Sequence, residues 1–175
     1  MLLDLKEYQE IVLHCKAQNI LVMLPQGRGK THLILERINA RKDYRQVAVV
    51  VPTKRHIRGF LDSASRFFVI ERLYSISGGE IYKFKNSEDE NIIVLMVNGT
   101  YPETAGDIDY FIDCLFIDEG DSIDGRIIDM FPVFKDLYVT GTPKTAVPQQ
   151  NSCMGYLYYS NLFDCKIFQL LDVEG

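Results

Sequence analysis

Leu24-Pro25-Gln26-Gly27-Arg28-Gly29-Lys30-Thr31, LPQGRGKT, lies between the apolar run Asn19–Leu24 (NILVML) and a segment of helical spacing, Lys30–Ala40. A strand, a glycine-containing turn and a helix in that order form a ready-made anion site. Gly27 and Gly29 admit backbone torsions that would strain other residues. Successive N–H groups can then face inward around a phosphate, at the positive end of the following helix. Lys30 has the reach to meet the β and γ phosphates of a nucleotide as a point charge, and Thr31 offers a hydroxyl to magnesium. The nucleotide-binding stretch is therefore read as Pro25, Gln26, Gly27, Arg28, Gly29, Lys30 and Thr31.

Outward from this turn, apolar runs rich in β-branched residues alternate with amphipathic ones. Gln46–Val51 (QVAVVV) reads as a strand stopped by Pro52, and Lys54–Phe68 as a helix. Ile81–Phe84, Ile92–Val97, Cys114–Ile117, Asp136–Thr140 and Lys166–Leu171 read as further strands. Continuous apolar strands alternating with helices predict an α/β fold with a mostly parallel, twisted sheet and helices on both faces. The polar and glycine-containing residues fall at the carboxyl ends of these strands, where such sheets bind ligands.

A nucleotide site of this kind needs an acidic partner. Cys114–Ile117 (CLFI) runs into Asp118–Glu119, some 87 residues beyond Thr31. Asp118 is expected to hold magnesium together with Thr31, and Glu119 to polarise the attacking water. Glu119 and Lys30 are thus the expected catalytic pair, with ATP and Mg²⁺ as substrate and metal. Three further segments support the reading. Tyr8 and Gln9 lie about 20 residues upstream of the loop, where an aromatic and an amide suit an adenine. The stretch VVVPTKRHIR (Val49–Arg58) sets Lys54, Arg55 and Arg58 beside a strand end, as contacts for a nucleic-acid backbone or a neighbouring subunit. In VTGTP (Val139–Pro143), Thr140, Gly141 and Thr142 end the next strand and can couple phosphate occupancy to motion.

With 175 residues, 47% hydrophobic and 25% charged, the chain has the composition of a single globular domain with a sizeable core. No apolar run is long enough for a transmembrane helix, and the acidic start MLLDLKEYQE lacks the positive charge of a secretory signal. A cytoplasmic location, in an infected host for a viral protein, and no membrane partner are expected. The four cysteines (Cys15, Cys114, Cys153, Cys165) are scattered without a CxxC pair, which favours reduced thiols over zinc or a disulfide framework. Residues 1–85 carry 15 Lys+Arg against 8 Asp+Glu, whereas residues 86–175 carry 4 against 16. This asymmetry is compatible with a polyanion against one face.

Taken in order, these five segments resemble the additional-strand P-loop ATPases that act on nucleic acids, built on a RecA-like domain. One family is the ATPase domain of the large terminase subunit, the motor of viral DNA packaging. It is similar in the YQ pair, the P-loop, PTKRHIR, the stretch AGDIDYFIDCLFIDEGDSI (Ala105–Ile123) and TGTP. The other is the first RecA-like domain of superfamily 2 helicases: LPQGRGKT resembles their PTGSGKT, DEGD their DEAD, and TGTP their SAT or TATP element. Either resemblance implies ATP hydrolysis coupled to translocation, with double-stranded DNA the expected track in the packaging case. It also implies a homo-oligomeric ring or a second motor domain as partner, with residues 1–175 as a single ATPase module. The sequence departs from both patterns. Leu24 replaces the usual first P-loop glycine, Arg28 is the sole loop arginine, and no TPGR-like segment lies between Pro52 and Asp118. No nuclease-type acidic cluster is visible. A nucleotide-binding regulator without turnover is a third reading, which Glu119 disfavours.

Overall fold

The computed structural model describes residues 5–24, 29–76, 78–98, 111–123, 131, 134–141 and 166–169. In chain order these form α1 (Leu5–Leu13), β1 (Asn19–Met23), α2 (Lys30–Ala40), β2 (Gln46–Val51), α3 (Lys54–Ala64), β3 (Val69–Ile76), β4 (Gly79–Lys85), β5 (Glu90–Val97), β6 (Ile112–Ile117), a 3₁₀ turn (Gly120–Ser122), β7 (Phe134–Gly141) and β8 (Lys166–Gln169). One sheet runs in the order β3-β4-β5-β2-β6-β7-β1-β8. Pairing is parallel from β5 through β8, and β3 and β4 extend that edge as an antiparallel hairpin pairing. This is a mostly parallel α/β sheet of the RecA-like kind.

The central strands are apolar on both faces because both faces are covered. Along β2, Val47, Val49 and Val51 pack in one core cluster with Val12 of α1, Leu33 and Ile34 of α2 and Phe60 of α3. Ala48 and Val50 point the other way, into a second cluster with Leu115, Ile117, Ile123 and Phe131. All three described helices thus share one face. Helices expected on the other face lie outside the described residues, and so do Cys153 and Cys165. Among the described residues no helix is long and apolar enough to cross a membrane.

The structure corrects one boundary. Apolar spacing suggests a helix to Phe68, but α3 stops at Ala64 and a strand begins at Val69. Phe68 continues the apolar pattern because it packs on Phe84 of β4, ring centroids 5.3 Å apart, not because the helix goes on. The edge strand β3 lacks a hydrophobic signature because most of it is exposed, Val69 to 74%. Its hydrogen bonds to β4 define it. At the start of β4 the backbone runs so close to β5 that a β-carbon on Gly79 would lie 2.3 Å from the Leu95 carbonyl.

A polar knot closes the amino ends of the strands. Tyr44, just before β2, is fully buried; its hydroxyl donates to Asp136 Oδ2 of β7 at 2.7 Å, and its carbonyl accepts from Asn91 Nδ2 of β5. Arg41 lies 4.4 Å from the Tyr44 ring centroid and 3.6 Å from Asp136. Arg37, 1% exposed, sits 5.3 Å from the Tyr138 ring centroid and donates to the Cys15 carbonyl at 3.2 Å. Removing one partner from such a network strands another. Tyr44→Phe is therefore expected to lower unfolding stability by about 1–3 kcal/mol, read by urea titration; a loss indistinguishable from zero would contradict the account.

Candidate nucleotide site

Four elements meet at the carboxyl ends of the central strands. Because β7 lies between β6 and β1, the end of β1 and the acidic end of β6 flank β7 on its two sides. Leu24 N–H donates to the Gly141 carbonyl at 2.9 Å, holding the exit of β1 to the end of β7. Gly29 then adopts φ 83°, ψ 32° as the N-cap of α2, a left-handed conformation that costs glycine little. Its carbonyl accepts from Leu33 N–H at 3.0 Å, so α2 starts directly at Lys30 and Thr31.

Asp118 is the hub. It is 3% exposed, and both carboxylate oxygens accept hydroxyl hydrogen bonds. Thr31 Oγ1 of α2 donates to Oδ2 at 3.1 Å, and Thr140 Oγ1 of β7 donates to Oδ1 at 2.9 Å. Thr140 Oγ1 in turn accepts from Glu119 N–H at 3.1 Å. Burial pushes the Asp118 carboxyl above its ordinary value, with the neighbouring Glu119 charge acting the same way; the two hydroxyls and Lys30 pull it down. A buried carboxylate whose described side-chain hydrogen bonds are two threonine hydroxyls, with a buried lysine nearby, is a donor set that fits a hydrated divalent cation beside a phosphate. Thr31, Asp118 and Lys30 are the residues that would hold them.

Glu119 is one-third exposed and has φ 52°, the one positive φ outside glycine among the described residues. Its Oε2 lies 3.5 Å from His56 Nε2 of α3, and His56 Nδ1 is 2.8 Å from Thr53 Oγ1. Nothing in the sequence singles out His56, since a lone histidine inside a basic stretch has no signature; the available hint is that the stretch directly follows β2.

The remaining expected residues are placed as follows. Gln9 of α1 comes beside the phosphate turn: a β-carbon on Gly29 would lie 3.3 Å from Gln9 Nε2. The backbone of Tyr8 lies in the same helix. Thr140 and Gly141 end β7 beside β1. Lys54, Arg55 and Arg58 are exposed on α3, two residues or fewer from His56. Pro25, Gln26, Gly27, Arg28 and Thr142 lie outside the described residues.

This sheet order is that of a RecA-like α/β fold, with the candidate site at the carboxyl ends of its central strands. Residues 3–145 match the helicase-like family described as type III restriction enzyme, res subunit, and the chain belongs to that family. No curated protein matches it. The fold is also similar to the large terminase of a thermophilic bacteriophage solved in complex with ADP: TM-score 0.65, 14% identity, over 93% of this chain and 44% of that one. A second crystal form of that terminase gives a TM-score of 0.58 at 15% identity, over 78% and 39%. The ATPase domain of a Thermus phage large terminase carrying an arginine-to-alanine substitution gives 0.52 at 11%, over 93% and 80%. The chain thus spans less than half the length of the first two.

The raised Asp118 carboxyl has a consequence for stability. A group whose folded value is raised contributes stability that is complete below its unfolded value and lost as pH rises through the folded one. At neutral pH, without nucleotide, burying this carboxyl is therefore a cost. Asp118→Asn should melt no lower than wild type at pH 7–8, with any advantage shrinking as pH falls toward the ordinary aspartate value of 3.8. A neutral-pH melting point several degrees below wild type would show that burial is not the dominant influence.

Proposed function

We propose that this chain hydrolyses ATP with Mg²⁺ and couples that hydrolysis to movement along nucleic acid, as one motor module of a larger assembly. The observation that carries this is the Thr31–Asp118–Thr140 relay, which joins the helix after β1 to the ends of β6 and β7 through one buried carboxylate. Magnesium, when bound, neutralises charge on the phosphates and orients them. The chain's own groups do the rest. Lys30 meets the β and γ phosphates, Thr31 and Asp118 hold the metal, Gln9 with Tyr8 contacts the base, and Glu119 accepts hydrogen bonding from the attacking water. Thr140 touches both Asp118 and the Glu119 amide, so a change at the γ phosphate alters the end of β7 and reaches Gly141 and Thr142.

Likeness to the terminase ATPase fold supports a role in viral DNA packaging, with double-stranded DNA as track and Lys54, Arg55 and Arg58 contacting DNA or the next subunit of a homo-oligomeric ring. Membership in a helicase-like family supports a second reading, the first motor domain of a helicase-type translocase with a second such domain as partner. A cytoplasmic location, of the host for a viral protein, fits both.

Two variants test the common core. Lys30→Ala should abolish turnover, and Glu119→Gln should lower kcat by about 10²–10⁴-fold while nucleotide still binds. Equal rates for wild type and Glu119→Gln would remove Glu119 from catalysis. Neutralising Lys54, Arg55 and Arg58 together should flatten the salt dependence of duplex binding by roughly one unit of slope per lost phosphate contact; an unchanged slope would place the track elsewhere.

A further inference from the structure

The sheet ends at β3, which pairs with β4 on one side and with no strand among the described residues on the other. Such an edge presents a row of backbone N–H and C=O groups to any extended chain that approaches it. The edge is bare: Val69 is 74% exposed, and Leu73 and Tyr74 are exposed as well. Only its first part is regular. Val69, Ile70, Glu71 and Arg72 stand opposite Lys85, Phe84, Lys83 and Tyr82, and the register then shifts between Arg72 and Tyr74. A shift of that kind bends an edge away from a partner, so the stretch open to pairing is Val69–Arg72.

A pocket of about 540 Å³ adjoins the amino end of that stretch, lined in part by Arg66, Phe67, Phe68, Val69 and Lys85. Phe67 and Phe68 join it to the core and make it apolar on that side. Arg66 is exposed and is paired with no carboxylate among the described residues. Lys85 meets Glu90 at 3.7 Å, with both side chains more than half exposed, a pair of little strength. Two available cations over an apolar wall fit a group that is anionic and apolar at once. A strand added antiparallel to β3 brings its carboxyl end to the amino end of β3, where this pocket lies. The terminal carboxylate then falls beside Arg66 and Lys85, and the last side chain against Phe67 and Phe68.

A second copy of this chain fits the edge less well. Symmetric pairing of two β3 strands about Glu71 or Arg72 sets like charges opposite one another, and pairing about Ile70 sets Val69 against Glu71. We propose that Val69–Arg72 and the adjoining pocket bind the carboxyl terminus of a partner protein, added as a short antiparallel strand with an apolar last residue. This surface is separate from the nucleotide site, since β4, β5 and β2 lie between β3 and β6.

The test uses the full chain and a library of random short peptides displayed with free carboxyl ends. The most enriched peptide is then made with a fluorophore on its amino end and titrated by anisotropy. Enriched peptides are expected to end in an apolar residue, and amidating the carboxyl end should weaken Kd at least about fivefold. The double variant Arg66→Glu, Lys85→Glu and the single variant Val69→Asp should each weaken it at least about tenfold. All three positions are exposed, and melting curves check that the variants fold; the amidated peptide tests the idea on the wild-type chain alone. No enrichment, or a Kd indifferent to amidation or to both variants, would overturn the proposal. Displacement of the peptide by a short DNA duplex would also overturn it, assigning the surface to nucleic acid.

Discussion

A carboxylate kept ionisable inside a nearly dry site is the constraint on which this arrangement depends. Burial strengthens the action of a carboxylate such as Asp118 on any charge beside it, since a charge in low dielectric is screened least. Burial also drives it toward the neutral acid, which would hold no cation. Two threonine hydroxyls oppose that tendency from opposite directions, one opening α2 and one ending β7. Each hydroxyl can serve only if its own element is in register. The parallel pairing of β7 with both β6 and β1 supplies that, aligning Thr140 with Val22 just before the phosphate loop.

The two ends of the sheet handle buried polarity differently. At the amino ends Tyr44 bonds Asp136 and Asn91, Arg41 pairs with Asp43 and Asp136, and Arg37 donates to the Cys15 carbonyl while its Nε has no hydrogen-bond partner. These bonds join the segment before β2 to β5 and β7, which suits a region that fixes strand order. At the carboxyl ends the Asp118 carboxyl is raised first by burial and then by the neighbouring Glu119 charge, against the pull of the two threonine hydroxyls and Lys30.

Legibility in the sequence followed the physics of each element. The extents of α2 and β2 coincide with the expectation because each has a sharp chemical stop: Gly29 before Lys30, and Pro52 after Val51. β3 was illegible, because an exposed edge strand needs only backbone hydrogen bonds and imposes no apolar alternation. Thr31 and Asp118 could be paired from motif and spacing alone. The contact of Glu119 with His56 could not, since it joins positions 63 residues apart through the order of β2 and β6 in the sheet, and no local pattern encodes strand order.

Glu119 illustrates how local strain and site geometry belong together. A left-handed backbone at a residue with a β-carbon costs about 1–2 kcal/mol, and glycine at this position would avoid it. A glycine would also remove the carboxylate. The strain is held by the Glu119 N–H bond to Thr140 and by the 3₁₀ turn that follows, in which Ser122 N–H returns to the Glu119 carbonyl at 2.8 Å. The two adjacent acids make their side-chain contacts to different elements, Asp118 to α2 and β7 and Glu119 to α3. Asp118 is fixed by hydrogen bonds to elements of the phosphate side, whereas Glu119 is held by a longer, more exposed contact to α3. The geometry therefore makes Asp118 the more firmly held member of the pair and Glu119 the more loosely held one.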